Sequence, residues 1–260
     1  MKLTELQNST EVANGIAILW DCLEVMKSID SGSIDAIICD PPYGTTACKW
    51  DSVIPFEPMW AELKRIIKPN GAIVLFWSEP FSSALRMSNI KNYKYDWIWE
   101  KDNATGFLNS KKQPLRITEN ILLFYKNQCI YNPKFTKGKP YKAKTGDTRP
   151  TTYWKHKSLH IDSNGDRYPK NLLKFNRDKE KIHPTQKPVA LIEYLIKTYS
   201  LENEIILDFT SGSWTTWIAA QSTNRQFILI EKDKNYYDIS LKRLQENKER
   251  LDKLSKKDIM

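Results

Sequence analysis

The chain has 260 residues, enough to bury one full α/β core, and carries a formal net charge of +9. No run of about 18 apolar residues occurs, so no membrane helix is expected, and residues 1–20 lack the charged-then-apolar order of a signal peptide. The four cysteines show no C-x-x-C spacing, which argues against a zinc site and a disulfide framework. We therefore expect one cytoplasmic domain, residues 1–260, without a metal or a membrane anchor.

Predicted strands and helices alternate along the chain. Short apolar runs with β-branched residues predict buried strands, and amphipathic stretches predict helices. In chain order the elements are a strand at Ile34–Cys39, a helix at Phe56–Ile67, a turn at Pro69–Gly71, a strand at Ala72–Phe76, a helix at Phe81–Ile90, strands at Tyr93–Trp99 and Asn120–Tyr125, a helix at Pro188–Tyr199, a strand at Ile205–Asp208, a helix after Thr215 and a strand at Phe227–Ile230. This alternation predicts an α/β fold with a doubly wound, mostly parallel sheet.

The last predicted element is a long charged helix from Asn235 to about Lys256. It carries a thin apolar stripe, namely Ile239, Leu244, Leu251 and Leu254. Such a stripe favours packing on the domain, and a homodimer formed through it is the alternative.

The positive charge is concentrated in an insertion at about residues 126–182. This segment holds 15 lysines and arginines against five acidic residues, whereas the rest of the chain holds 25 against 26. A block of like charge is often only a solvated or disordered face, and that interpretation stays open. Here, however, aromatic residues such as Tyr141, Trp154 and Tyr168 lie among the basic ones, a pattern typical of surfaces that bind phosphates and stack on bases. The segment indicates a nucleic-acid partner.

The tetrapeptide Asp40-Pro41-Pro42-Tyr43 follows the first predicted strand directly. Proline cannot continue a parallel strand, so this loop leaves the sheet at a carboxyl end, where open α/β sheets bind ligands. The Asp40 carboxylate and the Pro41 carbonyl would accept the N–H groups of an aromatic amine and keep its lone pair available. Tyr43 would stack on a base taken out of the duplex. An ordinary turn after a strand is the alternative.

Two further motifs suggest a cofactor. Residues 206–216 read as a strand, an acidic end and a turn of small residues that opens a helix, which lets backbone N–H groups approach a ligand. Glu231 follows the next strand, about 20 residues on, where an acidic side chain suits ribose hydroxyls. The HPTQKP stretch, His183–Pro188, opens a third helix, and a plain proline-started helix is its alternative.

With these motifs in one order, the chain resembles the β-type DNA amino-methyltransferases, in which the D-P-P-Y loop precedes the cofactor loop. The resemblance covers nearly the whole chain. Its motifs are D-C-L-E-x-M at Asp21–Met26, D-P-P-Y, I-K-P-x-G-A at Ile67–Ala72, E-N-I-L-x-F-Y at Glu119–Tyr125, HPTQKP, D-F-T-x-G-S at Asp208–Ser213, and Glu231. The implied fold is the S-adenosylmethionine-dependent methyltransferase fold, with residues 126–182 as the target-recognition region.

The resemblance also implies an activity and a set of site residues. The reaction would be direct, in-line methyl transfer from S-adenosylmethionine to an exocyclic amine of double-stranded DNA, as in restriction-modification systems. The catalytic residues would be Asp40, Pro41, Pro42 and Tyr43. The cofactor-binding residues would be Asp21 and Cys22 at the adenine, Glu231 at the ribose, His183 and Lys187 near the methionine carboxylate, and Asp208, Phe209, Thr210, Gly212, Ser213 and Thr215 along the methionine half.

The resemblance favours adenine N6 as the target. D-P-P-Y is typical of N6-adenine enzymes, whereas S-P-P is commoner among N4-cytosine enzymes, which remain the alternative. No Pro-Cys dipeptide occurs, which disfavours the cysteine-nucleophile route to 5-methylcytosine.

The chain departs from its family at four glycine positions that hold tryptophan. They are Trp20 before Asp21-Cys22, Trp77 after the Ala72–Phe76 strand, and Trp214 and Trp217 in the cofactor loop. Glycine permits positive φ and close approach of a ligand, so Trp214 is expected to obstruct the cofactor site. Glycine averages about 7%, or roughly 18 residues in a chain of this length, yet the chain has nine glycines and nine tryptophans.

Three explanations of these tryptophans stay open. The protein is an inactive DNA-binding relative, its pocket has been remodelled around indoles, or its source reads UGA as glycine and the printed sequence translates UGA as tryptophan. The third explanation accounts for the fact that all four changes replace glycine by tryptophan.

Overall fold

The structure of the protein, a computed structural model, describes residues 5, 8–44, 52–144, 160–179 and 186–242. Its strands are β1 (Ser9–Val12), β2 (Gly15–Leu19), β3 (Ile34–Cys39), β4 (Ile67–Trp77), β5 (Tyr93–Thr105), β6 (Arg116–Phe124), β7 (Thr136–Lys137), β8 (Tyr141–Lys144), β9 (His160–Ser163), β10 (Asp166–Arg167), β11 (Leu172–Lys174), β12 (Ile205–Asp208) and β13 (Gln226–Glu231). Its helices are α1 (Cys22–Lys27), α2 (Phe56–Ile66), α3 (Phe81–Ser88), α4 (Val189–Tyr199), α5 (Thr215–Ser222) and α6, residues 234–242, with a short 3₁₀ turn at Phe107–Asn109.

In the described part of the chain, nine strands form the central sheet in the order β1-β2-β13-β12-β3-β4-β6-β5-β11. Neighbouring strands from β2 to β4 in this order are parallel, whereas β1 and β6 run antiparallel to their neighbours. The predicted mostly parallel α/β sheet is confirmed.

Helices cover both faces of the sheet, as a doubly wound fold requires. Strand β3 is buried along its whole length, which explains why it is apolar on both sides. One core layer includes buried residues of α4 and α5, and the other includes those of α1, α2 and α3. Each layer buries one stripe of its helices against one face of the sheet.

The structure differs from the predicted elements in three respects. The predicted turn at Pro69–Gly71 lies inside β4, where the pairing jumps from Ile34 with Ile67 to Ala36 with Ala72, so the intervening residues bulge out of the ladder. Strands β5 and β6 extend beyond their predicted bounds and form a long hairpin. Elements β1, β2 and α1 and the short strands β7–β11 were not predicted from the sequence.

A second compact unit, Asn132–Lys170, is inserted into the chain of the first. Its described residues form two two-stranded sheets, β7 with β10 and β8 with β9. Arg167 lies over the ring of Tyr141, 4.4 Å from its centroid, and Phe135 packs on Tyr168.

Residues 145–159 and 180–182 of the predicted basic region, and the predicted last helix beyond residue 242, lie outside the described residues. None of the described helices is long and apolar enough to cross a membrane.

Candidate active site

Four acidic residues of the predicted site follow the carboxyl ends of parallel strands. Asp21 comes after β2, Asp40 after β3, Asp208 ends β12 and Glu231 ends β13. The carboxyl ends of parallel strands meet at one edge of a sheet. Strands β12 and β3 are neighbours although they are far apart in sequence, so a ligand crevice is expected between them.

A cavity of about 510 Å³ opens at this edge. Its size is within the usual range for small-molecule sites, about 300–1,000 Å³. The cavity is lined by every predicted site residue that the structure describes, namely Asp21, Cys22, Asp40, Pro41, Pro42, Tyr43, Lys187, Asp208, Phe209, Thr210, Gly212, Ser213, Thr215 and Glu231. His183, the remaining predicted site residue, lies outside the described residues.

Asp208 fixes the loop that leads into α5. One carboxylate oxygen accepts the backbone N–H of Thr210 at 3.2 Å, and the other accepts the hydroxyl of Thr216 at 2.5 Å. Burial raises the pKa of Asp208 to about 6. The Thr210 hydroxyl in turn donates to the Asp40 carbonyl at 3.2 Å, so the loop after β12 is tied to the loop after β3.

Glu231 holds the turn around Gly212. Its two carboxylate oxygens accept the backbone N–H groups of Gly212 and Asp233, both at 2.7 Å. Gly212 has φ +49, a left-handed conformation that favours glycine. Burial raises the pKa of the Glu231 carboxyl.

The far end of the cavity is formed at Asp21. One of its carboxylate oxygens caps α1 by accepting the N–H of Leu23 at 3.0 Å, and the other lies 3.0 Å from the Lys232 ammonium. Partial burial opposes ionisation of Asp21, but the contacts with Lys232 outweigh it and lower the pKa of this carboxyl. The cavity therefore reaches from an acidic α1 N-terminus to the loop after β3.

The loop at Asp40 is held by charged and aromatic contacts. The Tyr43 hydroxyl donates to Asp40 Oδ1, and Lys187 Nζ lies 2.7 Å from Asp40 Oδ2. The Tyr43 ring stacks on Trp77, with centroids 5.5 Å apart and an interplanar angle of 26°. Glu119 Oε2 lies 3.3 Å from the same Lys187 ammonium.

The ionisation of these groups follows from burial and pairing. Burial raises the pKa of Asp40, and the charge of Lys187 only partly offsets this. Burial alone would lower the pKa of Lys187, but Asp40 and Glu119 outweigh it and raise that pKa. Burial would likewise raise the pKa of Glu119, yet Lys187 and Lys101 hold it below its ordinary value.

The expectation that Trp214 obstructs the cavity is wrong. The side chains of Trp214 and Trp217 are buried in the core layer of α4 and α5, and neither residue lines the cavity. Trp214 packs edge-on against Tyr237 and adopts φ +56 as the residue before α5. The backbone takes a conformation suited to glycine, and the indole turns away from the cavity.

Several lining residues were not identified from the sequence. They include Val53 and Ile54 before α2, Phe76 of β4, and Lys232, Asp233 and Tyr236 after β13. Glu119 belongs to one of the family motifs but was given no role, and its contact with Lys187 shows that it lies beside the site. The available signal was its acidic side chain two residues before the buried apolar run Ile121–Phe124.

Comparison with known proteins agrees with this geometry. A family model of N6 and N4 methyltransferases, described as DNA methylase, matches residues 34–242. The DNA adenine methyltransferase YhdJ of Escherichia coli (strain K12) is 31% identical over 86% of this chain and 80% of its own. The type II methyltransferase M.HinfI of Haemophilus influenzae is 28% identical, with 93% of this chain and 71% of its own covered.

Solved structures show the same fold. The complex of M1.HpyAVI with S-adenosylmethionine has a TM-score of 0.58 and 26% identity, covering 87% of this chain and 98% of that one. The cytosine-N4-specific PvuII DNA methyltransferase has a TM-score of 0.62 at 18% identity, covering 88% and 86%. The family match spans most of the chain, so this protein belongs to the DNA amino-methyltransferases, the S-adenosylmethionine-dependent family of N6-adenine and N4-cytosine enzymes.

Proposed function

We propose that the protein transfers a methyl group from S-adenosylmethionine to the N6 amine of a flipped adenine in duplex DNA. The observation that carries this proposal is the loop Asp40–Tyr43, which is complete and lines the same cavity as the predicted cofactor residues. The Asp40-Pro41-Pro42-Tyr43 sequence favours adenine, and a relative of 31% identity is named as an adenine methyltransferase.

The loop suits an exocyclic amine because such an amine is a weak nucleophile. Its lone pair is delocalised into the base unless acceptors engage its N–H groups. The Asp40 carboxylate is fixed from both sides, by the Tyr43 hydroxyl and the Lys187 ammonium, so an acceptor is oriented before substrate arrives. The prolines restrict the backbone that presents the Pro41 carbonyl as a second acceptor.

The residues present fit S-adenosylmethionine. Asp21 and Cys22 would hold the adenine end, Glu231 the ribose, and the stretch from Asp208 to Thr215 the methionine half, all along one cavity. The cofactor would supply an electrophilic methyl group. The chain's part is to orient the amine at Asp40 and exclude water, and no covalent enzyme intermediate is needed.

We also propose that glycine stands at positions 20, 77, 214 and 217 in the working protein, encoded by UGA. Three of these tryptophans, Trp77, Trp214 and Trp217, are buried, and their indole N–H groups lack a partner in the described part of the chain. The other described buried tryptophans all donate: Trp60 to Ser88, Trp97 to Tyr199 and Trp99 to Phe175. An unpaired buried donor costs about 1–3 kcal/mol, so these three positions are poorly suited to indoles.

Backbone and active-site geometry support the same proposal. Trp214 has φ +56, where a residue with a Cβ is strained by about 1–2 kcal/mol. Trp77 stacks on the Tyr43 ring, so glycine at 77 would remove an aromatic contact from the ring that is expected to stack on the flipped base. Any codon other than TGA at one of the four positions rejects UGA recoding for that position.

Nucleoside mass spectrometry tests the activity. DNA from methylation-deficient cells that express the four-glycine version should contain N6-methyladenine, and the Asp40→Ala variant should produce none. N4-methylcytosine in its place would establish the other branch of the family. Calorimetry with S-adenosylmethionine on both versions separates these outcomes from inactivity, since an inactive DNA-binding protein would bind duplex DNA but not the cofactor.

A further inference from the structure

Four charged side chains of alternating sign form a buried chain that ends at Asp40. Lys101 Nζ lies 2.9 Å from Glu119 Oε1, Glu119 Oε2 lies 3.3 Å from Lys187 Nζ, and Lys187 Nζ lies 2.7 Å from Asp40 Oδ2. The side chains of both lysines are only 7% exposed, and those of Glu119 and Asp40 are 15% and 23% exposed. Burial of this extent makes each charge depend on its neighbours.

The four residues come from separate elements that meet at the carboxyl edge of the sheet. Lys101 is on β5 and Glu119 is on β6, which pairs with β5 through Trp99 and Glu119. Because β6 runs antiparallel to β4, its first residues lie at the edge where β4 ends. Lys187 precedes α4 and Asp40 follows β3.

The two charged residues farther from Asp40 do not line the cavity. Lys187 and Asp40 are lining residues, whereas Lys101 and Glu119 are not. Lys101 and Glu119 are therefore placed to act on the reaction through Lys187, without touching the cofactor. The Lys187 ammonium lies between two carboxylates, which gives it a role at Asp40 beyond the expected one near the methionine carboxylate.

We propose that Lys101 and Glu119 are positioning residues for methyl transfer, which act through Lys187 on the orientation and the ionisation of the Asp40 carboxylate. The proposal rests on the proposed function, because it concerns the same catalytic loop. It adds a network that controls whether Asp40 is an acceptor.

The charged groups that face Asp40 shift its pKa in different directions. Burial raises the pKa of Asp40, Lys187 lowers it, and Glu119 raises it. Tyr43 donates a hydrogen bond to Asp40 and lowers its pKa, and Cys39 and Asp208 also interact with it. Removing Lys187 should therefore raise the pKa of Asp40, and removing Glu119 should lower it.

The test measures this ionisation directly, with and without turnover. Asp40 is titrated by NMR in protein labelled with ¹³C at aspartate Cγ, with Asp40→Asn to assign its signal. In parallel, the pH dependence of kcat is measured with S-adenosylmethionine carrying a tritiated methyl group and unmethylated plasmid DNA. Both the chain with tryptophan at positions 20, 77, 214 and 217 and the version with glycine there are measured, so the tryptophans do not decide the outcome.

The expected changes differ in direction between variants. Lys187→Gln should move the Asp40 midpoint and the acid limb of kcat to higher pH. Below the midpoint, a rise of the midpoint by one pH unit lowers the active fraction about tenfold, because the protonation equilibrium changes by the same factor. Lys101→Met should move the midpoint the same way but less far, because Glu119 then draws Lys187 away from Asp40. Glu119→Gln should move it to lower pH.

Paired removal provides the critical control. Lys101→Met/Glu119→Gln deletes one positive and one negative charge, and should return the midpoint toward that of the unmodified chain. Lys68→Met removes a lysine that lies 2.5 Å from Asp35, another nearly buried aspartate, at the opposite edge of the sheet. It should leave the Asp40 midpoint unchanged. If circular dichroism shows that Lys187→Gln does not fold, the Asp40 midpoint of Lys101→Met tests the proposal in its place.

Two results distinguish failure of the positioning role from failure of the proposed function. If the Lys101 and Glu119 variants leave the Asp40 midpoint where it is, or move it in the same direction, the positioning role is wrong even where methylation is observed. If the midpoints move as expected but the unmodified chain methylates no base, the network stands and the proposed function falls.

Discussion

At the scale of single residues, the tryptophans offer a direct comparison. Trp217 of α5 and Trp60 of α2 are both buried and helical, but only the Trp60 indole N–H has a partner, Ser88. Replacing either by glycine leaves a void that costs several kcal/mol, about 3–5 for the side chain. Trp217→Gly also removes an unpaired donor, so it should destabilise by about 1–3 kcal/mol less than Trp60→Gly.

Urea unfolding of the two variants measures this difference. A fluorescence transition would lose part of its signal with the tryptophan, so circular dichroism is the suitable probe. An equal or larger loss of stability at Trp217 would show that its indole is well accommodated, and would count against glycine at this position.

Burial of Asp208 makes the stability of the fold depend on pH. Its pKa is raised from 3.8 to about 6 by burial. A carboxyl with a raised folded-state pKa contributes stability below its unfolded pKa and loses it as the pH rises through the folded one. Asp208→Asn should therefore gain stability relative to the unmodified chain between about pH 4 and pH 6, by about 3 kcal/mol when the two pKa values differ by about two.

Chemical unfolding at several pH values tests this expectation. Asp30→Asn, at an exposed aspartate outside the cavity, corrects for the general pH dependence. A constant difference between Asp208→Asn and the unmodified chain would mean that the Asp208 carboxyl titrates alike in the folded and unfolded states.

At the scale of elements, the pairing of β2 with β13 depends on a glycine. A Cβ at Gly15 would lie 2.4 Å from the Phe227 carbonyl oxygen and 2.4 Å from its ring. Because a backbone atom cannot move aside alone, Gly15→Ala should force the two strands apart and cost about 1–3 kcal/mol. Gly138→Ala is the matched control, since its Cβ would meet Arg167 at 3.4 Å, an ordinary contact.

Thermal unfolding ranks the two variants. Gly15→Ala should lower Tm clearly, whereas Gly138→Ala should not. Equal Tm values would mean that β2 moves away from β13 without loss of stability.

The elements that sequence predicts well are those with a strong local pattern. Strand β3 is apolar throughout and helix α2 is amphipathic, and both lie at their predicted positions apart from the last helical residue. Strand β2 is short and is completed by pairing with β13 from the other end of the chain, so local pattern does not reveal it. The outer parts of β5 and β6 are exposed and form through pairing with each other, which explains why their lengths were underestimated.

The residues of the site also differ in how well the sequence predicts them. The predicted residues that the structure describes meet in one cavity because each motif directly follows a strand or opens a helix, and topology then gathers those ends. The partners of Asp40 were harder to predict. That Glu119 and Lys101 form a buried pair depends on the register between β5 and β6, which the sequence does not specify.

At the scale of the whole molecule, charge is divided unevenly along the chain. Residues 126–182 hold 15 lysines and arginines against five acidic residues, and the rest is close to neutral. Within this segment Lys139, Lys144 and Lys170 are exposed. A protein that neutralises phosphates with such side chains releases counterions, so its affinity for DNA falls steeply with salt.

Neutralising lysines inside and outside residues 126–182 separates the contribution of this segment to DNA binding from that of the total charge. The triple variant Lys139→Gln/Lys144→Gln/Lys170→Gln should weaken binding to unrelated duplexes alike. It should also make the dependence of log K on log salt shallower by about 0.9 for each phosphate that the protein no longer neutralises. The control Lys27→Gln/Lys64→Gln/Lys91→Gln removes the same charge from exposed positions outside the segment. Fluorescence anisotropy across a salt series compares them. If both triple variants lose the same affinity and slope, DNA binding follows net charge and residues 126–182 are not its principal surface.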